Sequence, residues 1–127
     1  MGCDIHPICQ FKVFSDDNFW ENCGIPDRTR NYQFFSHLAG VRGDCDSPLA
    51  ARRGLPDGFM RYQESCLSGE HSASWCTLAE MKAYDTSGMD EDYGLPAWKR
   101  WIEYGEFMAK HFGKSDEEIR FVFDFDS

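Results

Sequence analysis

The chain has 127 residues, of which 42% are hydrophobic and 16% aromatic, a composition that predicts one globular domain over residues 1–127. Its net charge of −9 argues against nonspecific nucleic-acid binding, which depends on Lys and Arg side chains. The sequence shows neither a signal peptide nor an apolar run long enough to cross a membrane. We therefore expect a cytoplasmic protein that does not engage membranes and whose six cysteines are reduced and mostly buried.

The predicted elements begin with a strand at residues 5–14 and end with a strand at residues 119–126. Six segments lie between them: a polar loop (15–30), a short helix between Asn31 and Gly40, an irregular stretch (41–58), a helical turn or two (59–67), a helix starting after Thr77, and a long helix from Pro96 to Gly113.

The two best-defined elements near the end of the chain each have one apolar face. Residues 119–126 alternate strictly, which puts Ile119, Phe121, Phe123 and Phe125 on one side of a strand. The long helix carries a stripe that we assign to the core, consisting of Trp98, Trp101, Ile102, Gly105, Met108 and Phe112. These patterns predict an α+β fold, with an antiparallel sheet that includes both terminal strands and is packed by the long C-terminal helix and shorter helices.

The opening motif, Met1-Gly2-Cys3-Asp4-Ile5-His6, concentrates metal-capable side chains at the start of a strand. Side chains two apart on a strand share a face, so Asp4 and His6 point one way while Cys3 and Ile5 point the other.

Two specific motifs are the opening hexapeptide and the run His71-Ser72-Ala73-Ser74-Trp75, and further stretches accompany them: Arg30-Asn31-Tyr32, Leu38-Ala39-Gly40-Val41-Arg42, Arg53-Gly54-Leu55-Pro56 and the ending Arg120–Asp126. Together these stretches resemble a family of small bacteriophage and prophage proteins without an established activity. Members commonly carry a second histidine where this chain has Ala73. The resemblance implies a phage accessory gene.

The functional interpretation joins Asp4 and His6 with His71, and with Cys3 or Cys76, as ligands of Zn²⁺ or another divalent metal. Ser72 and Ser74 belong to the same candidate site. Three protein ligands and a water would form an open centre able to activate that water for hydrolysis.

Two other interpretations of these residues stay open. The first is a purely structural network, in which His71, Ser72 and Ser74 bond backbone groups in a capped loop. The second is a cysteine nucleophile paired with one of the four histidines at positions 6, 37, 71 and 111, among which spacing cannot choose.

Arginines are concentrated between Arg28 and Arg61, a segment with a net charge of +3 that leaves −12 for the rest of the chain. Guanidinium groups match phosphate and carboxylate, so Arg30, Arg42, Arg52 and Arg53 are candidate anion-binding residues. The alternative is a solvated loop with internal Arg–acid pairs.

From these features we predict an acidic phage-type protein that acts by binding, in counter-defence or host takeover. It would dock on a host protein with a basic surface or sequester a small anionic ligand. The alternative is a metal-dependent hydrolase of a phosphoester or nucleotide using Asp4, His6 and His71.

Overall fold

A computed structural model of the protein describes residues 2–127, so Met1 of the opening motif lies outside the described residues. Its strands and helices are β1 (Asp4–Lys12), β2 (Trp20–Asn22), α1 (Tyr32–Ala39), β3 (His71–Thr77), α2 (Leu78–Ala83), α3 (Gly94–Phe112) and β4 (Ile119–Asp126), with short 3₁₀ helices at Arg61–Cys66 and Asp116–Glu118.

These elements form one α+β domain around a four-stranded antiparallel sheet in the order β2-β1-β4-β3. The first and last strands are therefore neighbours at the centre of the sheet, which confirms the prediction that one sheet includes both of them. Their register sets Asp4 opposite Asp126 and Phe11 opposite Ile119. The two ends of the chain thus meet at one end of the sheet.

One face of the sheet packs on the helices and forms the core. Strand β4 contributes four fully buried residues to this face, Ile119, Phe121, Phe123 and Phe125, which confirms the predicted apolar side. Helix α3 places Trp98 and Trp101 against it, both without exposed surface, and Phe34 of α1 meets the Trp101 ring edge-on at 5.0 Å. Aromatic rings therefore fill most of the space between the layers.

Helix α3 starts at Gly94, two residues before the Pro96 start that the sequence predicts, and ends where Gly113 adopts a left-handed conformation. Midway along it, Gly105 permits close packing: an added Cβ would lie 2.8 Å from Cδ1 of Leu78 and 3.1 Å from Cζ of Phe121. One predicted core residue is wrong. Phe112 is 37% exposed, because at the end of the helix its ring stacks on Phe11 at the edge of the core, 4.0 Å between centroids.

Two strands were not predicted. The polar loop predicted at residues 15–30 contains the short strand β2, and the capped loop considered for residues 71–74 is the start of β3. Ser, Ala and His have weak strand preference, so the pairing of β3 with β4 decides its conformation. A bulge between His71 and Ser74 accompanies the pairing, and Ser72 there has a positive φ of 58°.

The other face of the sheet is covered in part by the irregular segment before β3. Gln63, fully buried, donates to the carbonyl of Trp20. Arg120 on this face is only 2% exposed, and its guanidinium carbon lies 4.1 Å from the centre of the Trp20 ring. The guanidinium donates to the side chain of Gln10 and to the carbonyl of Asp57. Burial lowers the pKa of Arg120 to about 9, since its guanidinium is held by an aromatic face and neutral oxygens.

Within residues 2–127, none of the helices is both long and apolar enough to cross a membrane.

Candidate functional site

Asp4 and His6 lie on the sheet face opposite the aromatic core, next to two carboxylates of the last strand. The register places His6 opposite Asp124 and Asp4 opposite Asp126. The imidazole Nε2 of His6 lies 2.6 Å from Oδ2 of Asp126, and both side chains are 28% exposed. Because a carboxylate can only accept, Nε2 carries the hydrogen and Asp126 fixes the orientation of the ring.

The carboxylate of Asp4 is engaged by an arginine. Arg30 contacts it at two points, 3.0 and 3.1 Å, and this hydrogen bonding lowers the pKa of Asp4. The backbone N–H of Asp4 donates to Asp126, which links the ion pair to the His6 contact. A Cβ at Gly2 would collide with the Arg30 guanidinium, so the glycine of the opening motif makes room for this pair.

His71 lies at the same end of the sheet but two strands away from His6. It is opposite Phe125, a core-facing residue, whereas His6 is opposite Asp124 on the other face. Its two ring nitrogens contact the hydroxyls of Ser72, at 2.9 Å, and Ser127, at 3.1 Å. The two histidines therefore have separate hydrogen-bond partners: His6 contacts Asp126, whereas His71 contacts Ser72 and Ser127.

The other predicted members of the site have structural partners. Ser74 is fully buried, donates to the carbonyl of Ala50 at 2.7 Å and accepts from the N–H of Arg53, so it ties the preceding segment to the edge strand. Cys3 is fully buried, and burial raises the pKa of its thiol.

The expected three-ligand metal centre is not assembled. Among residues 2–127, no group of three or more His, Cys, Asp or Glu side chains is placed to hold a metal ion. Asp4 and His6 share a face, but His71 and Cys3 belong to the core-facing register, so the four side chains do not lie on one face. This separation follows from the alternation of strand residues, which puts Cys3 and Asp4 on opposite faces.

The four candidate anion-binding arginines lie in different surroundings. Arg30 pairs with Asp4, as described above, and Arg53 forms a two-point pair with Glu80 at 2.8 and 2.9 Å. Arg42 stacks over the ring of Tyr32, 5.2 Å from its centre, and Arg52 is exposed. Two of the four are thus already bound to carboxylates.

A surface pocket of about 490 Å³ opens beside His71 and Ser72. Its polar lining is acidic: Glu64 and Glu70 stand in the wall together with the buried carboxylate of Asp124. Leu55, Leu67, Ser68, Gly69 and Ala73 complete the wall, which contains neither Lys nor Arg.

Asp124 is the residue that shapes the inner end of this pocket. Its carboxylate accepts from the N–H and the hydroxyl of Ser68, each at 2.9 Å, and from the N–H of Gly69 at 2.7 Å. These bonds hold the 68–70 turn against the sheet. The sequence contained the signal for this residue, because the alternation that buries Phe123 and Phe125 also puts Asp124 and Asp126 together on the polar face.

A second cluster contains one of the Cys–His pairs that spacing could not distinguish. The sulfur of Cys45 lies 3.5 Å from Nδ1 of His37, and both lie 3.1 to 3.6 Å from the hydroxyl of Tyr84. Burial first, and then the hydrogen bond with Cys45, raise the pKa of Tyr84 above its ordinary value, so the phenol keeps its proton near neutrality.

No family model, curated protein or solved structure matches the chain.

Proposed function

We propose that this protein acts by binding a basic partner protein, and that the pocket beside His71 receives an Arg or Lys side chain of that partner. The observation that carries the proposal is the lining of the pocket, in which Glu64 and Glu70 supply negative charge without a compensating Lys or Arg.

The shape and chemistry of the pocket suit a long cationic side chain. Leu55, Leu67 and Ala73 offer apolar contact to the aliphatic part of such a side chain, as Lys and Arg stems commonly use. The carboxylates of Glu64 and Glu70 would accept from its charged end. A volume of about 490 Å³ exceeds one side chain, so neighbouring partner residues would fill the remainder.

The charge of the whole protein supports the same kind of partner. A net charge of −9 accelerates encounter with basic surfaces and slows encounter with nucleic acid. Together with the resemblance to phage proteins, it favours a host-takeover or counter-defence factor that docks on a host protein in the host cytoplasm. Sequestration of a small anion has less support, because binding at Arg30 or Arg53 would have to displace Asp4 or Glu80.

The hydrolase alternative is left with the His6–Asp126 pair as its acid–base element. A histidine oriented by a carboxylate can move a proton, but the described part of the chain, residues 2–127, does not assemble the three-ligand metal set that would activate water. We therefore retain this alternative only as an outcome of the experiment below.

The test compares two double variants with equal charge change. Glu64→Gln with Glu70→Gln alters the pocket, and Glu91→Gln with Glu103→Gln removes two carboxylates lining a different surface depression. The probe is an N-acetylated, C-amidated hexa-arginine peptide, titrated by calorimetry at two salt concentrations.

We expect the pocket variant to weaken peptide binding by about tenfold or more, and the control to change it by less than about threefold, as for screened surface charges. Equal weakening in both variants would mean that the peptide senses only net charge, which would contradict the proposal. Turnover of a nucleotide panel by the folded protein, lost in His6→Gln, would instead favour the hydrolase.

A further inference from the structure

The loop that follows α1 brings a cysteine next to a histidine and a tyrosine, beside a surface pocket. Cys45, His37 and Gly43 are among the residues lining this pocket of about 300 Å³. Both Cys45 and His37 are partly exposed, and both line this pocket.

Three separate parts of the fold fix this geometry. His37 stands in the last turn of α1, and Gly40 ends the helix in a left-handed conformation that turns the chain back. The N–H of Cys45 donates to Oγ of Ser36 at 3.1 Å, and this hydrogen bond holds the returning loop against α1. A Cβ at Gly43 would collide with Ser36, so glycine there permits the close approach that places Cys45 beside His37.

Tyr84, the residue directly after α2, completes the cluster. Its ring stacks on Trp98 with 4.7 Å between centroids, which fixes the hydroxyl. That hydroxyl donates its hydrogen to the carbonyl of Ser47 at 2.8 Å. Its oxygen is then left to accept, and the candidate donors are the Nδ1–H of His37, 3.1 Å away, and the thiol of Cys45, 3.6 Å away.

We propose that Cys45 is a nucleophilic thiol that undergoes exchange with small disulfides, with His37 as its proton acceptor. In the reacting form Nδ1 of His37 is unprotonated and takes the proton of the thiol across 3.5 Å, which gives a thiolate beside an imidazolium. Tyr84 stabilises the resulting imidazolium, because its oxygen can accept from the new Nδ1–H.

The exchange needs no reagent other than the small disulfide. The thiolate of Cys45 attacks one sulfur of the disulfide, a new S–S bond forms, and the original S–S bond breaks. The departing thiolate carries the electron pair and takes the proton held by His37. The products are a mixed disulfide on Cys45 and one free small thiol, so Cys45 would be a site of reversible S-thiolation.

The remaining cysteines provide internal controls. Cys3, Cys9 and Cys76 are buried. Burial raises the pKa of the Cys3 and Cys76 thiols, and the hydrogen bond with Cys23, followed by burial, raises the pKa of Cys9. Cys66 is partly exposed like Cys45, but its sulfur accepts from the amide of Asn22 rather than facing an imidazole. A comparison of Cys45 with Cys66 therefore separates activation from mere access.

The experiment measures the rate of reaction of each cysteine with 5,5′-dithiobis(2-nitrobenzoate) at about pH 7. Samples are quenched with acid and the label on each cysteine is mapped by mass spectrometry. We expect Cys45 to react about tenfold or more faster than Cys66, and this ratio to fall to near one when the same chain is unfolded in denaturant.

Variants then assign the effect to the imidazole. His37→Gln should slow Cys45 by about tenfold and leave Cys66 unchanged, whereas His111→Gln, on the exposed end of α3, should change neither. Circular dichroism checks that each variant is folded; if His37→Gln is not, the ratio between folded and unfolded wild type decides. A ratio near one in the folded wild type, or an unchanged Cys45 rate in folded His37→Gln, would overturn the proposal.

Discussion

Replacing Phe123 by alanine tests whether the aromatic layer between sheet and helices carries the stability of the fold. Phe123 has no exposed surface, lies in the central strand β4 and meets the ring of Trp101 at 6.0 Å between centroids. Burial of a phenyl ring contributes about 2–3 kcal/mol of transfer free energy. A residual cavity of about 50–80 Å³ would add about 1–2 kcal/mol. The free energy of unfolding should therefore fall by about 3–5 kcal/mol.

The matched control is the same substitution at an exposed phenylalanine. Phe107 is 65% exposed on α3, so Phe107→Ala should change the free energy of unfolding by no more than about 0.5 kcal/mol. Both variants would be compared with the wild type by urea unfolding followed by circular dichroism. A loss below about 1 kcal/mol for Phe123→Ala, or equal losses at both positions, would refute the assignment of this face to the core.

Three smaller changes test other contacts. The hydrogen bond from His6 lowers the pKa of Asp126, so this carboxylate stabilises the fold above about pH 4, the ordinary Asp value, and loses that contribution as the pH falls through its lowered pKa. Asp126→Asn should therefore flatten the decline of stability below about pH 4. Gly105→Ala gains about 1 kcal/mol of helix propensity but costs about 1–3 kcal/mol by pressing on Leu78 and Phe121, so urea unfolding should show a net loss. Asn31→Ala removes the cap of α1 and should cost about 1 kcal/mol in the same assay.

The sequence predicted those parts of the fold in which one periodic pattern dominates. The alternation of residues 119–126 and the capping box at Thr77 identified β4 and the start of α2 from local information alone. Strand β3 escaped prediction because its conformation is set by pairing with β4, which no pattern within His71–Thr77 encodes. Phe112 was misplaced because helical spacing gives the direction of a side chain but not where the core ends.

The candidate site was predictable only as far as strand alternation reaches. Asp4 and His6 do share a polar face, since that follows from their spacing. The position of His71 relative to them depends on the strand order and on the bulge near Ser72, and neither is written in local sequence. The pairing of Cys45 with His37 depends likewise on a loop turning back on its helix, although the two residues are only eight positions apart.

The pairing of charged side chains explains why the two sites we propose lie away from Asp4 and His6. The residues that look most reactive in sequence, Asp4 and His6, are engaged by Arg30 and Asp126, contacts that fasten the first strand to the last. By contrast, the carboxylates of Glu64 and Glu70 line an open pocket without a basic neighbour in its wall, and Cys45 lines another. Side chains that already pair with each other, such as His6 and Asp126, hold the first strand against the last. The groups facing open pockets are the ones able to meet a partner, so the variants of Glu64, Glu70 and Cys45 should alter binding or reactivity while variants of Asp126 alter stability.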